Sequence, residues 1–204
     1  MKISAVIPAY NAEKHIARAI ESVLAQTRPA DEIIVIDDGS SDSTAEIVRS
    51  YGNKVILIQQ ENAGVSVARN AGIAAATGDW IAFLDADDEG LPEKLKLQAE
   101  HIACHPDLRW NYANFYRKEI GVKNLQMAHR SAELTELLKD ESFQDYFNVY
   151  CQGVYAWTSV LIIHRSVFNT VGLFEPGMKR AQDTDLWFRI AYQYPRIGYL
   201  KEPL

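Results

Sequence analysis

An unbroken apolar run, Ile33 to Ile36, sits inside "DEIIVIDDGS" with acids on both sides. A strand with one wet face alternates apolar and polar residues. One that does not alternate is covered on both faces, as in a parallel sheet with helices above and below. The neighbouring pattern agrees. Ile3–Pro8 reads as a strand, and Glu13–Gln26 as a helix with Ile16, Ala19, Ile20, Val23 and Leu24 on one face. Asp42–Tyr51 reads as a helix, Lys54–Gln59 as a strand, Gly64–Ala76 as a helix, Trp80–Leu84 as a strand and Pro92–Cys104 as a helix opened by its proline. This alternation predicts an α/β fold, a Rossmann-like, mostly parallel sheet flanked by helices on both faces.

Residues 106–150 follow no single period. "DLRWNYANFYRK" starts like a strand, while Ser131–Asp140 and Glu141–Val149 read as short helices in an irregular insert. "VYAWTSVLIIHR" is strand-like again and Asp183–Tyr194 is an amphipathic helix. No repeat or low-complexity linker divides the 204 residues, which predicts one domain.

Net charge is −6 with no Lys/Arg-rich run, so the basic footprint of a nucleic-acid groove is missing. Cys104 and Cys151 are too few and too isolated for a disulfide framework or a paired metal site, and read as buried reduced thiols. No stretch approaches the ~20 apolar residues that span a bilayer. The N-terminal apolar run is short and interrupted by Pro8, unlike a signal peptide. These features favour a cytoplasmic protein.

Ligands of open parallel sheets bind outside the carboxyl ends of the strands. Two strands here end in acid: Asp37 and Asp38 in one, and Asp85, Asp87, Asp88 and Glu89 of "FLDADDEG" in the other. Crowded carboxylates raise one another's energy unless a cation offsets them. "DADDEGLPEKLK" starts like a calcium loop but has Lys96 where a bidentate glutamate is required, and Pro92 inside it. Mg2+ or Mn2+ uses one or two carboxylates and takes other ligands from phosphates and water, which suits the Asp85-x-Asp87 spacing. The plainer alternative is that these acids favour a helix N-terminus. Gly39 supplies a turn, and Ser43-x-x-Glu46 reads as a capping box. Neither a GxGxxG nor a GxxxxGK[ST] cradle is present, which sets aside Rossmann oxidoreductases and P-loop NTPases.

The segments "SAVIPAYNAEKHIARAIESVLAQT", "DEIIVIDDGSSDST", "NAGVSVARNAGI", "GDWIAFLDADD" and "QDTDLWFRIA", in this order, resemble the family 2 glycosyltransferases of GT-A fold. The resemblance covers residues to about 105 and resumes around 155–200. It implies inverting transfer of a sugar from a nucleotide-diphosphate donor, a UDP-sugar first among them, to a hydroxyl of a carbohydrate or glycolipid acceptor. The setting it implies is surface polysaccharide or glycoconjugate assembly, compatible with a peripheral position at the inner face of the membrane. Residues 1–105 would form the nucleotide-sugar half and 106–204 the acceptor half.

By the same resemblance Pro8 and Tyr10 line the nucleotide pocket, Asp38 accepts from the base, and Arg69 lies near base or diphosphate. Asp85 approaches the ribose or sugar, Asp87 binds Mn2+ or Mg2+, and Asp183 is the general base. An acceptor hydroxyl must lose its proton as it attacks, and a carboxylate within hydrogen-bond reach can take it. Relatives often carry Glu before this aspartate, where this chain has Gln182. Many also continue beyond the point where this chain ends, at Leu204, so the acceptor half is expected to be incomplete. Trp187 and Phe188 read as core. Trp110, Tyr112 and Tyr116 read as at least half core, and His164 as a structural histidine. His101, His105 and His129 show no metal-ligand spacing. The rival readings are a nucleotide-sugar-binding module without turnover and a nucleotidyltransferase. The latter needs a Gly-rich basic N-terminal loop that "IPAYNAEKH" lacks.

Overall fold

The computed structural model describes residues 1–117, 125–128, 138, 139 and 141–204. The strands in chain order are β1 (Ile3–Ala9), β2 (Glu32–Asp37), β3 (Ile56–Gln59), β4 (Trp80–Phe83), β5 (Trp110–Asn114), β6 (Tyr116–Arg117), β7 (Gln126–Met127), β8 (Leu138–Lys139), β9 (Ser142–Phe143), β10 (Leu161–His164) and β11 (Ile197–Pro203). The α-helices are α1 (Ile16–Leu24), α2 (Thr44–Arg49), α3 (Val65–Ala75), α4 (Lys94–Cys104), α5 (Tyr146–Cys151), α6 (Ser166–Val171) and α7 (Gln182–Gln193).

The main sheet runs β3-β2-β1-β4-β10-β5-β11-β9-β8. Pairing is parallel from β3 through β4 and between β5 and β11, and β10 runs antiparallel to both neighbours. Strand alternation divides the core between the two faces. Val6, Ile34, Ile36, Ile81 and Phe83 pack with Ala68 and Ile73 of α3 and with Leu186, Trp187 and Ile190 of α7. Their strand neighbours Ala5, Ile7, Ile33 and Val35 pack with Ile16, Ala19, Ile20 and Val23 of α1. Trp80 and Ala82 face Leu95, Ala99 and Ile102 of α4. Both faces are therefore covered, as the unalternating run of β2 requires. Helix α3 approaches β1 so closely that a Cβ on Gly72 would lie 2.3 Å from Val6 Cγ1.

The expected elements stand, with shifted edges. Helix α1 starts at Ile16 because residues 12–15 form a turn, with Ala12 O accepting from both His15 N and Ile16 N. Strand β3 is preceded by a 3-10 turn at Gly52–Lys54, and β10 by another at Thr158–Val160. The helix expected over Glu141–Val149 is instead β9 followed by α5, whose Asp145 side chain accepts from Phe147 N. Of the helix expected over Ser131–Asp140, only 138 and 139 are described, and they form β8; the rest, and His129, lie outside the described residues. The capping box is absent. Ser43 makes no side-chain cap, and Asp42 accepts from Thr44 N and Oγ1 instead. Cys104 and Cys151 are free as expected but exposed, since each ends its helix on the solvent side.

Candidate donor and catalytic site

The carboxyl ends of β1, β2 and β4 lie side by side, which brings three loops to one rim of the sheet. The loop after β1 is tied to the loop after β2. Asn11 N donates to Ser40 Oγ, Asn11 Oδ1 accepts from Ser41 N, and Ala12 N donates to Thr44 Oγ1. Pro8 is buried inside β1 opposite Ile36, while Tyr10 stands on this fixed loop with 55% of its surface exposed.

The paired acids ending β2 are structural anchors. Asp37 accepts from Ser40 N and Gln59 Nε2. Asp38 is buried and accepts from Gln60 Nε2 at 2.6 Å, Ala63 N at 3.0 Å and Gly64 N at 2.8 Å. Of roughly four acceptor positions on a carboxylate, three are taken, which leaves about one for a base N–H. Gly39 makes the turn possible: its φ is +73°, and a Cβ there would lie 2.8 Å from Asn62 N.

In the acidic turn after β4, most of the carboxylates already have a partner. Arg69 Nη2 donates to Asp85 Oδ1 at 2.7 Å, and Arg18 Nη1 meets Glu89 at 3.1 Å. Asp88 stands at the surface with its carboxylate turned back onto Ser159 Oγ at 2.5 Å. Partial burial raises its pKa, the Ser159 bond opposes that rise, Asp85 and Asp87 add to it, and Lys94 opposes it. Lys94 lies beneath the turn, 4% exposed, and its Nζ donates to Phe83 O and Ser159 O. Burial lowers its pKa to about 8, against the pull of Asp88 and Asp85. Asp87 is exposed, and among the described residues its carboxylate takes part in no hydrogen bond or ion pair.

Arg69 is expected near the ligand, and the structure places it under the turn. Its side chain is buried, pairs with Asp85, and lies 5.2 Å from the Phe174 ring centroid. Phe174 is held by Asn70, which accepts from Phe174 N and donates to Phe174 O. The same ring packs edge-on against Phe83 and Trp187, tying the middle of α7 to the end of β4.

Asp183 sits in the first turn of α7, after Ala181 in left-handed backbone, and accepts from Thr184 N. Asp185 is held at 2.7 Å by Arg189, whose Nη1 and Nη2 also donate to Val171 O and Leu173 O. Of the two acids, Asp183 is the one without a cationic partner among the described residues. No hydrogen bond or ion pair joins it to the acidic turn among the described residues.

The aromatics divide as expected: Trp110, Tyr112 and Trp187 are buried, Phe188 packs against the core, and Tyr116 is exposed. His164 bonds Ser166 Oγ and packs edge-on against Trp80. His101 and His105, one helical turn apart, gather with Glu141 so that one ligand atom of each lies within 4.8 Å of the others. Both His101 ring nitrogens are engaged, however: Nδ1 accepts from Asn111 Nδ2 at 3.0 Å, which leaves Nε2–H to donate to Glu141 O at 2.9 Å. The cluster pins α4 to the segment before β9.

Sequence reasoning overlooks Gln60, Lys94 and Ser159. Lys94 falls in the first turn of a helix and reads as a solvated charge. Ser159 hides in the apolar run "WTSVLII", where a hydroxyl just before a strand is the available signal.

Residues 4–172 match the model of Glycosyl transferase family 2, and the chain belongs to that family. It is 50% identical over 94 residues to the uncharacterized glycosyltransferase YibD of Escherichia coli K12, covering 45% of this chain and 27% of that one. It is 29% identical to the putative glycosyltransferase EpsH of Bacillus subtilis, covering 99% of this chain and 59% of that one. S. aureus TarS 1-349 in complex with UDP-GlcNAc superposes with a TM-score of 0.79 at 26% identity, covering 99% of this chain and 56% of that one. The fold is GT-A. The chain spans only part of the length of these relatives, and among the described residues no helix is long and apolar enough to cross a membrane.

Proposed function

We propose that this chain carries the donor-binding and catalytic part of an inverting, metal-dependent glycosyltransferase. It moves a sugar from a UDP-sugar to a hydroxyl of a carbohydrate or glycolipid acceptor, in surface polysaccharide or glycoconjugate assembly. The observation that carries this reading is the unequal partnering of the acidic turn. Arg69, Arg18 and the Ser159–Lys94 pair answer Asp85, Glu89 and Asp88, and Asp87 is left as an exposed carboxylate with no protein partner among the described residues. One hard oxygen donor from Asp87, with Asp85 beside it, suits Mn2+ or Mg2+, whose other ligands come from phosphate and water. Such an ion, when bound, neutralises charge growing on the leaving diphosphate. Tyr10 faces the base from its fixed loop, and Asp38 holds the 60–64 segment with about one acceptor position to spare. Asp183 takes the proton of the acceptor hydroxyl. The UDP-GlcNAc complex of S. aureus TarS supports a UDP-linked donor.

Calorimetric titration of UDP with and without Mn2+, on the wild-type chain and Asp87→Ala, tests the donor site. Metal-dependent binding that Asp87→Ala abolishes is the expected result. No binding of UDP, GDP or dTDP by the folded protein would overturn it. Donor binding without turnover, unchanged by Asp183→Asn, would favour a binding module.

A further inference from the structure

We infer that Ser159 is a positioning residue for the donor site, setting with Lys94 the height and tilt of the Asp85–Asp88 turn. The inference rests on the donor-site reading above. One side chain touches both ends of the turn: Ser159 Oγ accepts from Asp85 N at 3.0 Å and donates to Asp88 Oδ2 at 2.5 Å. The turn is closed internally by Asp88 N donating to Asp85 O at 3.0 Å. With both ends fixed, the intervening Asp87 has little freedom to tilt. Ser159 is itself fixed through its carbonyl, which accepts from Lys94 Nζ; the same ammonium donates to Phe83 O at the end of β4. Thus β4, α4 and the 3-10 turn at Thr158–Val160 meet at one buried ammonium beneath the acids.

A buried ammonium is an expensive way to join three segments, because an apolar side chain of similar volume avoids the desolvation penalty. What the charge adds here is attraction for Asp85 and Asp88 from the side away from solvent. That attraction leaves the outer face of the turn to Asp87. Ser159 and Lys94 do not touch the ligand in this reading. They hold the turn whose Asp85 and Asp87 carboxylates do, a role in which outer partners of metal ligands commonly change affinity by about 10- to 100-fold.

The test uses Ser159→Ala and the conservative Ser159→Thr, with UDP titrated in the presence and absence of Mn2+, and amide hydrogen exchange measured without metal. In Ser159→Ala the Mn2+-dependent gain in UDP affinity is expected to fall by about 10-fold or more. Metal-free UDP affinity should hold, and the Asp85 amide should lose protection. Ser159→Thr keeps the hydroxyl and is expected to restore the metal-dependent gain. Equal metal-dependent affinity in Ser159→Ala and wild type overturns the inference while leaving the donor site standing. So does an equal loss with and without metal, which marks general damage. Absence of metal-dependent UDP binding in the wild type overturns both.

Discussion

Arg69 and Asp85 form an ion pair at 2.7 Å in which the cation is almost wholly buried and the acid is partly open to the rim. The Nε and Nη1 atoms of the guanidinium are buried with no hydrogen-bond partner among the described residues, so its polar contact is concentrated on that one carboxylate. Arg69→Met should cost about 1–3 kcal/mol, as expected when a charged hydrogen bond is broken and Asp85 is left beside other acids. Urea denaturation with and without Mn2+ reads the loss, and on the proposed function the metal returns part of it.

Asp87 should behave in the opposite way. It is exposed, among like charges and, among the described residues, unpaired, so Asp87→Ala should change folding stability by no more than about 0.5 kcal/mol, or raise it slightly. The same substitution should abolish Mn2+-dependent UDP binding. Thermal melts and calorimetry on one preparation check both halves.

The contact between α3 and β1 can be tested as a pair. Gly72→Ala places a methyl where Val6 Cγ1 stands, 2.3 Å away, and should destabilise by about 1–3 kcal/mol through overpacking. Val6→Ala in the same chain opens that space. The double variant should therefore lose less than the sum of the singles, a positive coupling that a denaturant-based double-mutant cycle measures.

Stability should also fall on mild acidification. Burial lowers the His101 pKa below 6.5, with His105 and Arg196 adding to the shift and Glu141 opposing it; burial also lowers that of His164. Between the folded pKa and 6.5 the unfolded chain holds more protons. Stability therefore rises with pH through that window, levels off above it and is lost as pH falls. Melting temperatures from pH 5 to 7.5 should show this slope, and His101→Gln should flatten it in part.

The sheet is legible because its cause is local. Ile33–Ile36 lacks alternation, and Asp37 and Asp85 end their strands on one rim, which the register of β1 with β2 and β4 confirms. The acids, too, can be found from spacing. What spacing cannot show is which acids are already answered, because the answering groups come from distant elements. Arg18 of α1 meets Glu89, Arg69 of α3 meets Asp85, and Ser159 reaches Asp88 across 71 positions in the chain. Fully buried Lys94 defies the expectation that a helical lysine is solvated, and only tertiary packing reveals it. Within 106–150 the obstacle is different: beyond β5, the strands β6 to β9 are each two residues long, too short for any period to register.

Strand β10 is translated long after β4 and β5, yet it lies between them and pairs with both. A chain without β10 leaves the β4 edge away from β1 unpaired, a liability for edge-to-edge association. Insertion of β10 seals that edge, and the preceding Ser159 arrives with it to grip Asp85 and Asp88. On the proposed function, a chain that has not yet placed β10 also lacks the Ser159 grip on the acidic turn, so partly made molecules should be poor at capturing the donor.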